Sequence, residues 1–332
     1  MTTGREVAQT IVVTGAAGFV GHHLLDLLHR SDPNSRILAW RRSSADDPKR
    51  PPRPLPDSDR LDWRTVNLLD RPSVERELKD TPPDQVYHCA GVANVGGSWS
   101  NNTTTLAGNL LGTEYLIAGL RTHATEARVL IPGSALVYRP STSAIDESSP
   151  LGPVSPYGLS KLAQEMLGMA AVEQDGLHVV ITRSFTHVGP GQALFYAASS
   201  FAEQLARIEA GLCPPMLSVG NLEARRDLTD VRDTVLAYQL LMADGVAGAP
   251  YNVCSGTAHP IQTVLDGLLA QTTVDVTVRE DPARTRPSDN PLLLGDAGRL
   301  SRQTGWRPTI PFERTLTDIL NYWRDAVAVT RT

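Results

Sequence analysis

A tyrosine and a lysine stand four residues apart in Ser155-Pro156-Tyr157-Gly158-Leu159-Ser160-Lys161. On a helix, residues i and i+4 share a face, so the phenol and the ammonium would enter the same space. A phenol ordinarily titrates at about 10. A neighbouring cation stabilises the phenolate, which makes the group usable as a proton donor or acceptor nearer neutrality. A four-residue spacing is a short pattern, and its meaning depends on what the rest of the chain places beside it. Ser134, in Pro132-Gly133-Ser134-Ala135-Leu136, follows the β-branched run Arg128–Ile131. It would lie at the carboxyl end of a parallel strand, where the active groups of such sheets gather.

The elements that would position these groups alternate strand and helix. Thr10–Thr14 reads as a buried parallel strand, and Leu24, Leu25, Leu27 and Leu28 begin a helix. Between them runs Gly15-Ala16-Ala17-Gly18-Phe19-Val20-Gly21. Strand, glycine turn and helix in this order form a dinucleotide-binding unit. Gly15 makes the turn, Gly18 admits the pyrophosphate, and Gly21 lets helix and strand approach. The second strand, Arg36–Trp40, runs into Arg41-Arg42-Ser43-Ser44. An acid at this point would grip the ribose 2′-hydroxyl of NAD; two arginines and two serines suit a 2′-phosphate, so NADP is expected.

Further strands are expected at 61–68, 85–88, 128–131 and 177–182, with helices at 71–80, 102–121 and 157–173. Asn67 and Leu68 fall beside the adenine, and Cys89-Ala90-Gly91 forms a second small-residue turn at the cofactor. Beyond residue 183 the pattern becomes irregular, with a loop at Gly189-Pro190-Gly191, helices at 199–211, 231–244, 261–270 and 312–327, and strands at 216–219, 251–254 and 274–278. The expected fold is α/β: a Rossmann-type doubly wound parallel sheet with a smaller C-terminal substrate-binding lobe. Residues 1–183 would form the NADP-binding domain, with 229–258 returning to it, and 184–228 and 259–332 the lobe.

The chain has 332 residues, is 41% hydrophobic and carries a net charge of −5. That suffices for a large core and offers no basic stripe to nucleic acid or an anionic membrane. No apolar run is long enough to span a bilayer, and Met1–Gln9 lacks the character of a signal peptide. The three cysteines, Cys89, Cys213 and Cys254, have no metal-type spacing and read as reduced thiols of a cytoplasmic protein. No metal is expected.

In order along the chain, the Gly15/Gly18/Gly21 turn, Asn109, Ser134, Tyr157 with Lys161, and Arg226-Asp227 resemble the extended short-chain dehydrogenase/reductase family of nucleotide-sugar epimerases, dehydratases and reductases. Within it, Gly189-Pro190-Gly191-Gln192, the stretches 219–227 and 229–233, Tyr251–Gly256, and Arg286–Asp289 with Leu292–Asp296 are similar to the branch acting on GDP-mannose derivatives, as is Arg41–Ser44. The resemblance implies that Ser134, Tyr157 and Lys161 are catalytic, that Asn109 helps to place Lys161, and that His187 lies on the cofactor side. It also implies that Thr186, Arg226 and Arg286 meet the substrate, the arginines taking its pyrophosphate. The family usually has Asn at position 186 and commonly Asp at 67, so this chain departs there. A homodimer through the helices at 102–121 and 157–173 is also implied.

Position 136 divides the chemistries. The family's 4,6-dehydratases carry a glutamate there and its epimerase-reductases a cysteine; this chain has Leu136. The epimerase-reductases also place a histidine where Gly191 stands. With neither group present, the expected reaction is hydride and proton transfer at C4: NADPH-dependent reduction of a GDP-4-keto-6-deoxyhexose. The alternatives are a nucleotide-sugar 4-epimerase, which needs the same Ser, Tyr and Lys but recycles NAD, then a GDP-mannose 4,6-dehydratase, and last a non-enzymatic binding protein on the same scaffold.

Overall fold

The computed structural model describes residues 9–42, 58–282, 284 and 290–329. Ser43, Ser44 and Arg286 therefore lie outside the described residues. In chain order the first half comprises β1 (Thr10–Thr14), α1 (Phe19–Ser31), β2 (Arg36–Arg41), β3 (Leu61–Thr65), α2 (Arg71–Asp80), β4 (Gln85–His88) and α3 (Asn102–Leu106). It continues through α4 (Gly112–His123), β5 (Arg128–Pro132), α5 (Pro156–Asp175), β6 (His178–Ser184) and β7 (Thr186–Val188). There follow α6 (Ala197–Glu209), β8 (Met216–Val219), β9 (Arg225–Asp230), α7 (Val231–Asp244), β10 (Pro250–Val253) and β11 (Ala258–Pro260). Last come α8 (Ile261–Leu269), β12 (Thr277–Glu280), β13 (Leu292–Leu293), α9 (Gly298–Thr304) and α10 (Phe312–Val329).

Seven strands form one parallel sheet in the order β10-β6-β5-β4-β1-β2-β3. Its strands alternate faces with a period of two. Ile11, Val13, Ile37, Ala39, Tyr87, Leu130 and Val180 pack on one side with Leu24, Leu25 and Leu28 of α1 and Val235, Tyr238 and Leu241 of α7. Val12, Leu38, Trp40, Val86, Val129, Ile131, Val179 and Ile181 pack on the other with residues of α2, α4 and α5. This is the doubly wound sheet expected from the sequence. Strand order reverses between β1 and β4, and the two turns that follow these strands face each other across the crevice where such sheets bind ligands.

A second core joins α6, α8 and α10 to β8, whose edge pairs with the exposed β12. A small sheet connects it to the first: β9 pairs with β11 and β13 through its first half and with β7 through its second. β9 then runs directly into α7, capped by Asp230, whose carboxylate accepts from the Arg232 N–H at 2.8 Å. Asp227, fully buried on β9, accepts from the N–H groups of Ser255, Gly256 and Gly295, so one carboxylate ties three segments together.

Three expected elements differ. The strand expected at 61–68 stops at Thr65, because Asn67 turns the chain: its side chain accepts from Leu69 N–H and its carbonyl from Asp70 N–H. The helix expected at 102–121 contains a π-helical segment, Ala107–Leu111, centred on Asn109. The strand expected at 274–278 lies at Thr277–Glu280, where its backbone finds β8.

Candidate active site

At the cofactor end, Gly15 has φ +65°, and a Cβ there would stand 2.6 Å from the Ala90 nitrogen. The turns after β1 and β4 can approach this closely only without a side chain. A Cβ at Gly21 would run into the Gly15 carbonyl and Ala16, so α1 also starts hard against the turn. Gly18 is the extended N-cap of α1 and brings no side-chain cap. The amides of the turn and first helical turn, from Ala17 through Phe19 and Val20 to Gly21, therefore gather at one helix N-terminus, the arrangement that receives a diphosphate. Ala90 donates to the Thr14 hydroxyl at 3.1 Å, and Gly91 is exposed beside it.

Arg41 ends β2 with its guanidinium carbon 5.1 Å above the Trp63 ring, and Arg42 is exposed next to it. Asn67 is exposed and Leu68 half-buried in the turn after β3. His187 stacks on Phe19, centroids 5.9 Å apart, and burial holds its pKa down at about 4, which keeps the imidazole neutral. The glycine cradle, the helix N-terminus and the two arginines at the end of β2 fit a dinucleotide bearing a 2′-phosphate.

At the chemical end, Ser155 caps α5 by accepting from Gly158 N–H at 3.0 Å, and Pro156 occupies its first turn. This launches Tyr157 from the helix start into the cavity that Ser134 also lines. Ser134 is 7% exposed, and its Oγ also accepts from Leu136 N–H at 3.2 Å. The phenol does not have the depressed pKa expected from Tyr-x-x-x-Lys. Burial pushes it up to about 12, with the Ser134 hydroxyl opposing. The reason is the direction taken by Lys161: its Nζ donates to Gln164 Oε1, on the next turn of α5. Burial lowers Lys161 itself to about 8, with Cys89 opposing.

Asn109 does not touch Lys161. Its amide accepts from Val92 N–H at 2.7 Å, and donates to Val92 O at 3.2 Å and to Ser160 Oγ at 2.8 Å. It thereby fixes the loop after β4 to α5, the helix that carries both Tyr157 and Lys161.

Ser134, Leu136, Tyr157, Thr186, His187 and Arg226 all line one cavity of about 420 Å³ between the sheet's carboxyl edge and the second lobe. Arg226 is half-buried, burial lowers its pKa, and its Nη1 donates to the Arg225 carbonyl at 2.9 Å. Among the described lining residues there is no carboxylate, thiol or lysine. Two lining residues escaped the sequence reading as site groups. Tyr196 donates its phenol proton to Ala93 O at 3.0 Å across the cavity, and Gln192, 2% exposed, donates to the His187 carbonyl at 2.8 Å. Gln192 lay inside a recognised motif; nothing in the local sequence distinguishes Tyr196 from a surface aromatic.

A family model described as GDP-mannose 4,6 dehydratase matches residues 12–319. The chain is 34% identical to GDP-6-deoxy-D-mannose reductase of Pseudomonas aeruginosa, across 97% of this chain and 99% of that protein. It is 25% identical to UDP-glucose 4-epimerase of Bacillus subtilis, across 93% and 95%. Among solved structures, RMD from Pseudomonas aeruginosa complexed with NADPH superposes with a TM-score of 0.82 at 32% identity, covering 96% of this chain and 99% of that one. MoeE5 in complex with UDP-glucuronic acid and NAD gives 0.81 at 27% identity, with coverage of 96% and 99%.

Proposed function

The chain belongs to the GDP-mannose 4,6-dehydratase family of extended short-chain dehydrogenases/reductases, and on that premise we propose that it reduces the C4 ketone of a GDP-4-keto-6-deoxyhexose with NADPH. The observation that carries this reading is the pairing of Ser134 and Tyr157 in a cavity whose described lining offers no carboxylate or thiol, with Leu136 where a dehydratase would need its acid. Water elimination and carbon-acid epimerisation each need a further acid or base beside the ketone, and the position where the family's dehydratases carry glutamate and its epimerase-reductases cysteine is Leu136 here.

NADPH, when bound, supplies the hydride to C4. The chain's residues do the rest. Ser134 donates to the C4 oxygen as charge develops on it, and Tyr157 gives that oxygen its proton, so the ketone gains one hydride and one proton and becomes an alcohol. Lys161 contributes a positive charge on the cofactor side and, with Arg41 and Arg42, orients the dinucleotide. Arg226 and Arg286 take the sugar diphosphate. In this reading residues 1–183 and 229–258 serve the cofactor, 184–228 and 259–332 serve the nucleotide sugar, and the protein is a cytoplasmic homodimer. Among the described residues no helix is long and apolar enough to cross a membrane.

The test is to mix purified protein, NADPH and GDP-4-keto-6-deoxymannose and follow nicotinamide absorbance together with the sugar product. Stoichiometric loss of NADPH with formation of a 6-deoxyhexose is expected. Isomerisation of the sugar with no net NADPH consumption would replace the reductase with an epimerase.

A further inference from the structure

A buried chain of hydrogen bonds leads away from Lys161. Gln164 accepts from Lys161 Nζ through Oε1 and donates from Nε2 to Thr113 Oγ1 at 2.7 Å. Thr113 donates to the Asn109 carbonyl at 2.7 Å, which spends its only proton. His88 Nε2, 2.9 Å from the same hydroxyl, must therefore be the donor. His88 Nδ1 is left to accept from Thr14 Oγ1 at 2.9 Å, and Thr14 accepts from Ala90 N–H at 3.1 Å. Thr14, Thr113 and Gln164 have no exposed surface, and His88 retains 1%.

The bridging protons between Lys161 and Thr14 are thus placed, and every group in the series except Lys161 is neutral. Reversing the Gln164 amide would set an N–H against the ammonium and a carbonyl against a hydroxyl with no proton to give. We propose that Gln164 is a positioning residue for Lys161: it holds Nζ with a neutral acceptor locked by Thr113 and His88, and so leaves the ammonium's charge for the cofactor. This rests on reading Lys161 as the cofactor-side cation.

The surroundings leave Gln164 in control. From the end of β4 Lys161 faces His88 and Cys89, and from β7 it faces His187; Tyr157, on its own helix, exerts no resolved effect on it. Asn102–Leu111 contributes no titratable side chain. Glu165 is engaged by Arg183, and Glu114 and Tyr115 of α4 act on Arg71. A carboxylate at position 164 would stabilise the ammonium; an apolar side chain would strand it.

The chain has three lysines, Lys49, Lys79 and Lys161, so ¹⁵N-lysine NMR resolves each titration in the full-length protein without substrate. Lys161 in the wild type is expected to titrate near 8. Gln164→Glu should raise that midpoint by about one unit or more, and Gln164→Met should lower it by a similar amount. The alkaline limb of kcat/KM should move in the same directions. A merely structural glutamine would lower thermal stability in both variants without moving Lys161, and an unmoved midpoint in Gln164→Glu overturns the proposal even if Gln164→Met fails to fold. Since the NMR midpoint needs no turnover, its outcome is separate from whether the protein is a reductase.

Discussion

Glu165 and Arg183 form a two-pronged ion pair beneath the helix that carries Tyr157 and Lys161, with Nη2 to Oε1 at 2.6 Å and Nε to Oε2 at 3.0 Å. Both side chains are almost wholly buried, and Arg183 also donates to Tyr138 Oη at 2.9 Å. The pair fastens α5 to β6, directly behind the site.

Breaking that pair should be costly. Arg183→Met leaves a buried carboxylate unpaired, for an expected loss of about 3–5 kcal/mol. Chemical denaturation measures it; a loss below about 1 kcal/mol would mean that water reaches Glu165 or that the helix is held elsewhere.

Tyr157→Phe keeps the ring and removes the proton. Turnover should fall roughly 10²–10⁴-fold, while NADPH affinity, followed by fluorescence titration, changes only a few-fold. Substantial residual reduction would shift the donor's role to Tyr196 or solvent.

Replacing Arg41 and Arg42 together by Ala should weaken NADPH by about 10–100-fold, since charged hydrogen bonds contribute about 1.5–3 kcal/mol each, and leave NADH nearly unchanged. Equal losses for both cofactors would rule out a 2′-phosphate site at the end of β2.

Acid should destabilise the fold through its neutral histidines. A free imidazole takes up its proton near 6.5, whereas burial, reinforced by Lys161, holds His88 down to about 3 and burial holds His187 to about 4. Across that interval the unfolded chain binds more protons, so stability is lost as pH falls below 6.5. His88 alone should contribute a loss on the order of 2 kcal/mol by about pH 4.5. His88→Asn should show a shallower decline in Tm over this range; parallel curves for the two proteins would refute the assignment.

The sheet was legible because parallel strands announce themselves as β-branched runs and because Gly15 and Gly21 have steric reasons to be glycine. Ser134, Tyr157 and Thr186 line one cavity, as the family resemblance implied. What escaped the sequence was decided by partners far away in the chain. β7, β11 and β13 are two or three residues long and exist only because β9 pairs with them. The π segment at Asn109 carries no compositional mark. The direction of Lys161 was misjudged because i,i+4 geometry brings Tyr157 within reach, while a glutamine one turn further on supplied a better buried acceptor.

The outermost position of the main sheet beside β6 is filled by β10, a strand made some seventy residues later, after much of the second lobe. During synthesis, six strands are complete once Ser184 has emerged, yet β6 still presents an unpaired row of amides and carbonyls. Such an edge invites pairing with another chain. The nascent polypeptide is therefore vulnerable to association until Pro250–Val253 arrives, and a fragment cut at the apparent boundary after β6 inherits that vulnerability for good.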